Sequence, residues 1–349
     1  VKLLVLGGTR FLGRHFVEAA IARGHRLTLF NRGRAAPELF GDVEQLRGDR
    51  DGELAPLRGR SWDAVVDTCG YLPRVVRRSV ELLRGEAERY LFVSSISVYA
   101  DSAAAGQDED AARAPLPAPD CEDIPNHYGA LKAACEDEVQ AGFGAGSIIV
   151  RPGLIVGPFD PTGRFTYWPQ RVARGGSVLA PADPDYPVQF IDARDLAAWM
   201  LDLLERRSSA DSAGAARSGS RPLGSPGANW VFNASGPAQP LSFGSFLEAC
   251  RQALNPTADF VWPDAAFLAE HGVQAWTELP LYAGDDGRGL CSVDLTRALA
   301  AGLRLRPVVE TCVDTARWAG ATPLPAGTGL APDREAELLR TWRDRIGAS

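Results

Sequence analysis

The 349-residue chain carries 37 basic and 44 acidic side chains, a formal charge of −7, and is 45% hydrophobic and 23% charged. That composition excludes a mainly disordered or fibrous chain, and the length allows one large α/β domain or two unequal ones. The negative balance argues against nucleic acid or an anionic membrane as the main partner, and no window reaches the ~18 apolar residues of a membrane span.

In chain order, Leu3–Leu6, Arg26–Phe30, Ala64–Asp67, Tyr90–Ser95 and Ser147–Val150 read as buried strands. Amphipathic helical patterns fall between several of them, over Phe11–Arg23, Arg74–Leu83 and Tyr128–Gln140. This alternation predicts an α/β, Rossmann-type doubly wound parallel sheet that binds its ligand at the carboxyl ends of the strands. Asp101–Pro125, rich in Ala, Pro and acid, lies between a strand and a helix, where an active-site loop would be. Ser208–Ala228 is of low complexity. From Asn229 onward strands thin out, Trp and Pro become more frequent, and helices are expected over Ser242–Leu254, Asp264–His271 and Pro332–Ile346. The expected division is a discontinuous dinucleotide-binding domain (1–165 and 186–235) with a smaller C-terminal substrate-binding lobe (166–185 and 236–349). Six widely spaced cysteines without a C-x-x-C pair read as reduced thiols of a cytoplasmic protein. Four scattered histidines suggest no metal site.

Leu6-Gly7-Gly8-Thr9-Arg10-Phe11-Leu12-Gly13 joins the first strand to the first helix. Gly7 permits a tight turn and Gly13 a close helix–strand contact. The intervening amides face a helix N-terminus that favours a pyrophosphate. Farther on, Tyr128-Gly129-Ala130-Leu131-Lys132 is a Y-x-x-x-K. With seven Tyr and only Lys2 and Lys132 as lysines, chance gives about 0.04 such motifs. Residues four apart share a helix face, so the spacing predicts an ammonium beside the phenol. That charge would favour phenolate and let Tyr128 exchange a proton with an alcohol or carbonyl.

The glycine turn resembles the T-G-x-x-G-x-x-G of the extended, or atypical, short-chain dehydrogenase/reductases, the NAD(P)-dependent epimerase/dehydratase family. Leu6 stands for the usual Thr and Arg10 for the middle Gly. The resemblance continues through Ser94-Ser95-Ile96-Ser97-Val98-Tyr99, Arg151-Pro152-Gly153-Leu154-Ile155-Val156-Gly157-Pro158 and Val188–Ala197, covering most of residues 1–205. It implies a catalytic Ser95, Tyr128 and Lys132, with the lysine also reaching the nicotinamide ribose. The dinucleotide would be held by residues 7–13, Asp49, Arg50, Thr68, Cys69, Gly70, Ser94 and the segment Pro152–Ile155, with Tyr128 and Lys132. Ile96 and Ser97 stand where dehydratases of the family carry Asp-Glu, which argues against dehydration.

The expected function is hydride transfer between a nicotinamide cofactor and a carbonyl/alcohol substrate. A nucleotide-sugar epimerase with tightly bound NAD and a non-catalytic dinucleotide-responsive binding protein are the alternatives. An NAD-specific site usually ends its second strand with a carboxylate for the ribose hydroxyls. Here Asn31 and Arg32 follow that strand, with Arg34 beyond and Arg10 in the glycine turn, so NADP(H) is expected over NAD(H). For the substrate, by fold analogy a nucleotide sugar, the candidates are Ser97, Arg164, Tyr167 and Trp168. The alternative for the aromatic pair is packing in the small lobe.

Overall fold

The computed structural model describes residues 1–206 and 230–347, and the low-complexity stretch Ser208–Ala228 lies outside the described residues. A parallel seven-stranded sheet is built from β1 (Lys2–Leu6), β2 (Arg26–Asn31), β3 (Glu44–Arg47), β4 (Trp62–Asp67), β5 (Ala87–Val93), β6 (Ser147–Pro152) and β10 (Val231–Ala234). Its spatial order is β3-β2-β1-β4-β5-β6-β10. From β1 the chain winds outward to β2 and β3, and from β4 it winds the opposite way. The strand order therefore reverses between β1 and β4, where Leu6 pairs with Phe30 on one side and Asp67 on the other. A crevice opens at such a point beyond the carboxyl ends of the strands.

Both faces of the sheet are covered, as the continuous apolar strands require. Side chains alternate along β1. Leu3 and Val5 join the core under α1 (Phe11–Ala22) and α5 (Ala193–Glu205), with Phe16, Val17 and Trp199. Leu4 and Leu6 join the core on the other face with Val76 and Val80 of α2 (Pro73–Leu83) and Cys135 and Val139 of α3 (Ile124–Phe143).

The second lobe has a core of its own. Phe165, Trp168, Phe243, Phe246, Phe267 and Leu338 come together between α4 (Tyr167–Ala173), α6 (Phe243–Leu254), α7 (Ala265–Glu270), α9 (Val308–Ala319) and α10 (Pro332–Gly347). A small parallel sheet of β8 (Gly176–Leu179) and β11 (Ala258–Val261) borders it. The pair β7 (Leu154–Val156) and β9 (Phe190–Asp192) carries the chain out to this lobe and back. One stretch of the expected substrate lobe packs elsewhere. Ala298 of α8 (Thr296–Ala300), with Ala301 and Leu303, lies in the same core as Leu3 and Phe16.

Candidate active site

The turn after β1 leaves the strand through two residues with φ of 105° and 91°, Gly7 and Gly8, a backbone region that residues with a Cβ rarely adopt. A Cβ on Gly13 would lie 2.9 Å from the Gly8 nitrogen, so only glycine lets α1 begin this close to the turn. Thr68 Oγ donates to the Leu6 carbonyl at 3.0 Å and ties the end of β4 to the turn. A cleft of about 960 Å³ opens over these strand ends.

Every residue expected to hold the dinucleotide lines the cleft except Gly70 and Leu154. Gly70 is pressed inward, its Cα facing Phe92 and Val76, and it serves the site through its carbonyl. Leu154 packs instead against the core of the second lobe. Tyr71, Leu72, Ile124 and Pro161 also line the cleft and were not anticipated. Tyr71 and Leu72 could have been found by continuing past the turn after β4. Ile124 opens α3, ahead of the helical pattern read from Tyr128 onward, and Pro161 lies in a loop without a local signal.

At one end of the cleft stand Ser95, Tyr128 and Lys132. Helix α3 approaches the turn after β5 closely, because a Cβ on Gly129 would lie 1.9 Å from the Ser97 carbonyl oxygen. Ser95 Oγ donates to Ser97 Oγ and accepts from the Ser97 amide, both at 3.1 Å. Ser94 faces the other way. It donates to Glu136 at 2.5 Å, within a buried cluster where Arg151 grips Glu136 with two bonds of 2.9 and 2.7 Å. The Ser94 hydroxyl is thus committed to the protein interior.

Lys132 is buried, and its ammonium donates to the carbonyls of Val93 at 2.6 Å and Gly70 at 2.8 Å. Burial pulls it down to about 8, against the opposing pull of Cys135, Asp67, Glu136 and Cys69. Burial likewise pushes the Tyr128 phenol up to about 12; the neighbouring Tyr71 adds to that rise, and a hydrogen bond with Ser95 opposes it. This corrects the expectation that the lysine draws Tyr128 toward phenolate. Two backbone carbonyls hold the ammonium at the strand ends, and desolvation dominates the phenol. Around neutral pH Tyr128 is a proton donor and Lys132 is largely an ammonium.

The far end of the cleft is basic. Asn31 closes β2, and its Oδ1 accepts from the Gly33 amide and from Arg47. Arg32 is 58% exposed, 3.9 Å from Asp49, and Arg34 and Arg10 are exposed along the same rim. Arg50 departs from expectation: both its terminal nitrogens are committed to buried Asp67, at 2.7 and 2.8 Å. Only its Nε, buried and without a protein acceptor, remains for a ligand.

Residues 72–215 match the model of the NAD dependent epimerase/dehydratase family. Most of the chain superposes on solved structures of the same fold. UDP-glucuronic acid 4-epimerase from Bacillus cereus in complex with NAD gives a TM-score of 0.64 at 14% identity, covering 91% of this chain and 96% of that one. UDP-N-acetylglucosamine 4-epimerase from the same organism gives 0.62 at 17% identity, covering 93% and 99%. A further relative, chloroplast stem-loop binding protein of 41 kDa b from Arabidopsis thaliana, is 27% identical over 219 residues, 58% of this chain and 55% of that protein. That match therefore spans little more than half of the relative's length.

A nicotinamide dinucleotide, the cofactor class of the matched family model, suits this cleft: the bare glycine turn at a helix N-terminus and the basic rim line it, and Arg50, whose buried Nε has no protein acceptor, lines it too. The expected substrate contacts are different. Ser97, Arg164, Tyr167 and Trp168 do not line the cleft. Tyr167 and Trp168 are buried in the second core, where the Trp168 indole donates to the Pro280 carbonyl at 2.7 Å. Their large apolar area is used in packing rather than at a lip. Arg164 is exposed with its guanidinium 5.7 Å from the Trp276 ring, and Ser97 serves Ser95. Among the described residues no group of three or more His, Cys, Asp or Glu is arranged for a metal, and no helix is long and apolar enough to cross a membrane.

Proposed function

We propose that this chain is an NAD(P)-dependent oxidoreductase that moves a hydride between its cofactor and a carbonyl/alcohol substrate, with Ser95, Tyr128 and Lys132 handling the proton and the oxygen. The observation that carries this reading is the meeting of a neutral, half-buried phenol with a buried ammonium and an inward-facing serine hydroxyl in one cleft. When bound, the nicotinamide ring supplies or accepts the hydride. Tyr128 delivers its proton to the oxygen of a carbonyl being reduced, and in the reverse direction only its phenolate form takes one from an alcohol being oxidised. Ser95 orients that oxygen by hydrogen bonding. Lys132, fixed by two carbonyls, retains a third N–H for the ribose and places a positive charge where the alkoxide forms.

NADP(H) is the proposed cofactor. A carboxylate at the end of β2 would repel a 2′-phosphate; Asn31 does not, and Arg32, Arg34 and Arg10 offer charge-assisted bonds. The proposed substrate is a small molecule such as a nucleotide sugar, held between the 1–165/186–235 domain and the 166–185/236–349 lobe. Thiols without disulfide partners suit a reducing compartment, the cytoplasm in this reading.

Epimerisation through a tightly held NAD is the second reading, favoured by the fold shared with NAD-bound UDP-glucuronic acid 4-epimerase. A binding protein without catalysis is the third, and the stem-loop binding relative gives it a nucleic-acid form. The net charge of −7 weighs against that form. A screen of sugar nucleotides and small ketones with both cofactors separates these readings. Net change in the 340 nm nicotinamide absorbance identifies a reductase, and product isomers without net change identify an epimerase. Either activity surviving Tyr128→Phe near wild-type turnover would refute the assigned roles.

A further inference from the structure

Beneath the cleft lies a buried ion pair that the proposed chemistry does not use directly. Asp67, the last residue of β4, is fully buried, and both its oxygens are saturated. Oδ1 accepts from Arg50 Nη1 at 2.7 Å and from the Cys69 amide at 3.1 Å, while Oδ2 accepts from Arg50 Nη2 and the Tyr90 hydroxyl, each at 2.8 Å. Arg50 also donates to Ser79 of α2 at 3.1 Å, which ties the pair to the helix above. Three residues past Asp67, the Gly70 carbonyl accepts from Lys132 Nζ at 2.8 Å. The pair is thus joined to the ammonium through the Cys69 amide, the backbone of the turn and the Gly70 carbonyl.

We propose that the Arg50–Asp67 pair is a positioning device for Lys132, fixing both the turn whose carbonyl seats the ammonium and the electrostatic field in which that ammonium sits. Asp67 and Arg50 are positioning residues, since neither needs to touch the reacting atoms. The inference rests on the reading of Lys132 as the proton-handling lysine. Asp67 is well suited to the task because its ionised form is stabilised from four directions and its charge is unscreened by water. The other groups facing Lys132 are Cys135 and Glu136 from its own helix, Cys69 from the turn, the Phe92 ring at 4.2 Å and the Tyr71 ring at 5.4 Å, with Tyr128 one turn earlier. Glu136 already has Arg151 and Arg113 as counter-ions, so Asp67 and Arg50 are the charges whose removal is read most cleanly at the ammonium.

The chain has two lysines, so protein labelled with 13Cε-lysine gives two side-chain resonances, and Lys2→Arg assigns them. In the wild type the Lys132 signal should titrate with a midpoint of about 8. Asp67→Asn should lower that midpoint by about half a unit or more, and Arg50→Gln should raise it by a similar amount. Arg50→Lys, which retains the charge and adds a third lysine resonance absent from the wild-type spectrum, should leave the Lys132 midpoint within about 0.2 unit of the wild type. The two shifts of opposite sign are independent, so a variant that fails to fold leaves the other to decide. A midpoint unmoved in a folded Asp67→Asn or Arg50→Gln overturns the proposal. This readout uses neither substrate nor turnover. If Lys132→Ala keeps full activity, the reading of the lysine fails while the titration still stands or falls separately.

Discussion

At the scale of single residues, the protonation states of Tyr128 and Lys132 set the direction of the chemistry. Tyr128, pushed up to about 12 by burial, keeps its proton across the working range. Lys132, ordinarily near 10.5, is drawn down to about 8 by burial, and its charged form lies on the acid side of that midpoint. Turnover and dinucleotide affinity should therefore hold below pH 8 and decline as pH rises through it, in a steady-state profile from about pH 6 to 10. A profile flat across that range would contradict the role of the ammonium. Tyr128→Phe should cost on the order of a hundredfold or more in turnover while leaving dinucleotide affinity within about twofold, because only the transferable proton is lost. Ser94→Ala and Ser95→Ala should differ in kind. The first removes a donor from a buried carboxylate and should lower the melting temperature; the second should lower turnover with little loss of stability.

These residues were legible to different degrees. The Tyr128–Lys132 spacing was conspicuous because lysine is so rare in this chain, and the glycine turn carried its own steric reason. At Arg50, sequence shows which charges lie near a strand end, but not that Asp67 already holds both terminal nitrogens. The state of Tyr128 was misread for a related reason: proximity to a cation is visible as spacing, whereas desolvation depends on everything packed around the ring.

At the scale of elements, the patterns that succeeded were long or strongly apolar. α2 begins at Pro73 and α6 is capped by Ser242, both within a residue of the boundaries read from sequence. Two strands of the seven-stranded sheet were missed. β3, Glu-Gln-Leu-Arg, is an edge strand with one apolar residue and pairs only with β2, so it shows neither a buried run nor a clear alternation. β10 is four residues long and follows the low-complexity stretch, so its local signal is short even though it completes the sheet beside β6. Helix α3 begins at Ile124, capped by Asp123, rather than at Tyr128; the non-helical φ/ψ of His127 interrupts the pattern just before the tyrosine. The steric argument at the first βα turn makes its own prediction. Gly13→Ala should lower thermal stability and raise the dinucleotide Kd more than about tenfold, because the methyl group forces the Gly8 amide away from its place. A Gly13→Ala protein with wild-type affinity would remove the close turn from the account.

At the scale of the whole molecule, the two hydrophobic cores explain why the aromatic residues after β7 misled the reading of the substrate site. Phe165, Tyr167 and Trp168 follow a Gly/Pro-rich stretch, as loop residues at a binding lip would, yet they hold the second lobe together. Trp168→Ala should therefore cost about 3–5 kcal/mol in urea unfolding while the folded fraction binds dinucleotide as before. The fold class and the sheet's ligand-binding edge were legible because strand–helix alternation admits few topologies. The substrate side was not, because the second lobe's contacts join segments more than a hundred residues apart, as Trp168 and Pro280 do. The central claim is that the cleft at the strand reversal holds a nicotinamide dinucleotide and that its basic rim selects NADP(H). Fluorescence titration of NADPH and NADH into the wild type and Arg32→Ala tests this most directly. Saturable binding at least about tenfold tighter for NADPH, with the preference reduced in Arg32→Ala, is the predicted result; equal affinities in the wild type, or no binding of either dinucleotide, would contradict it.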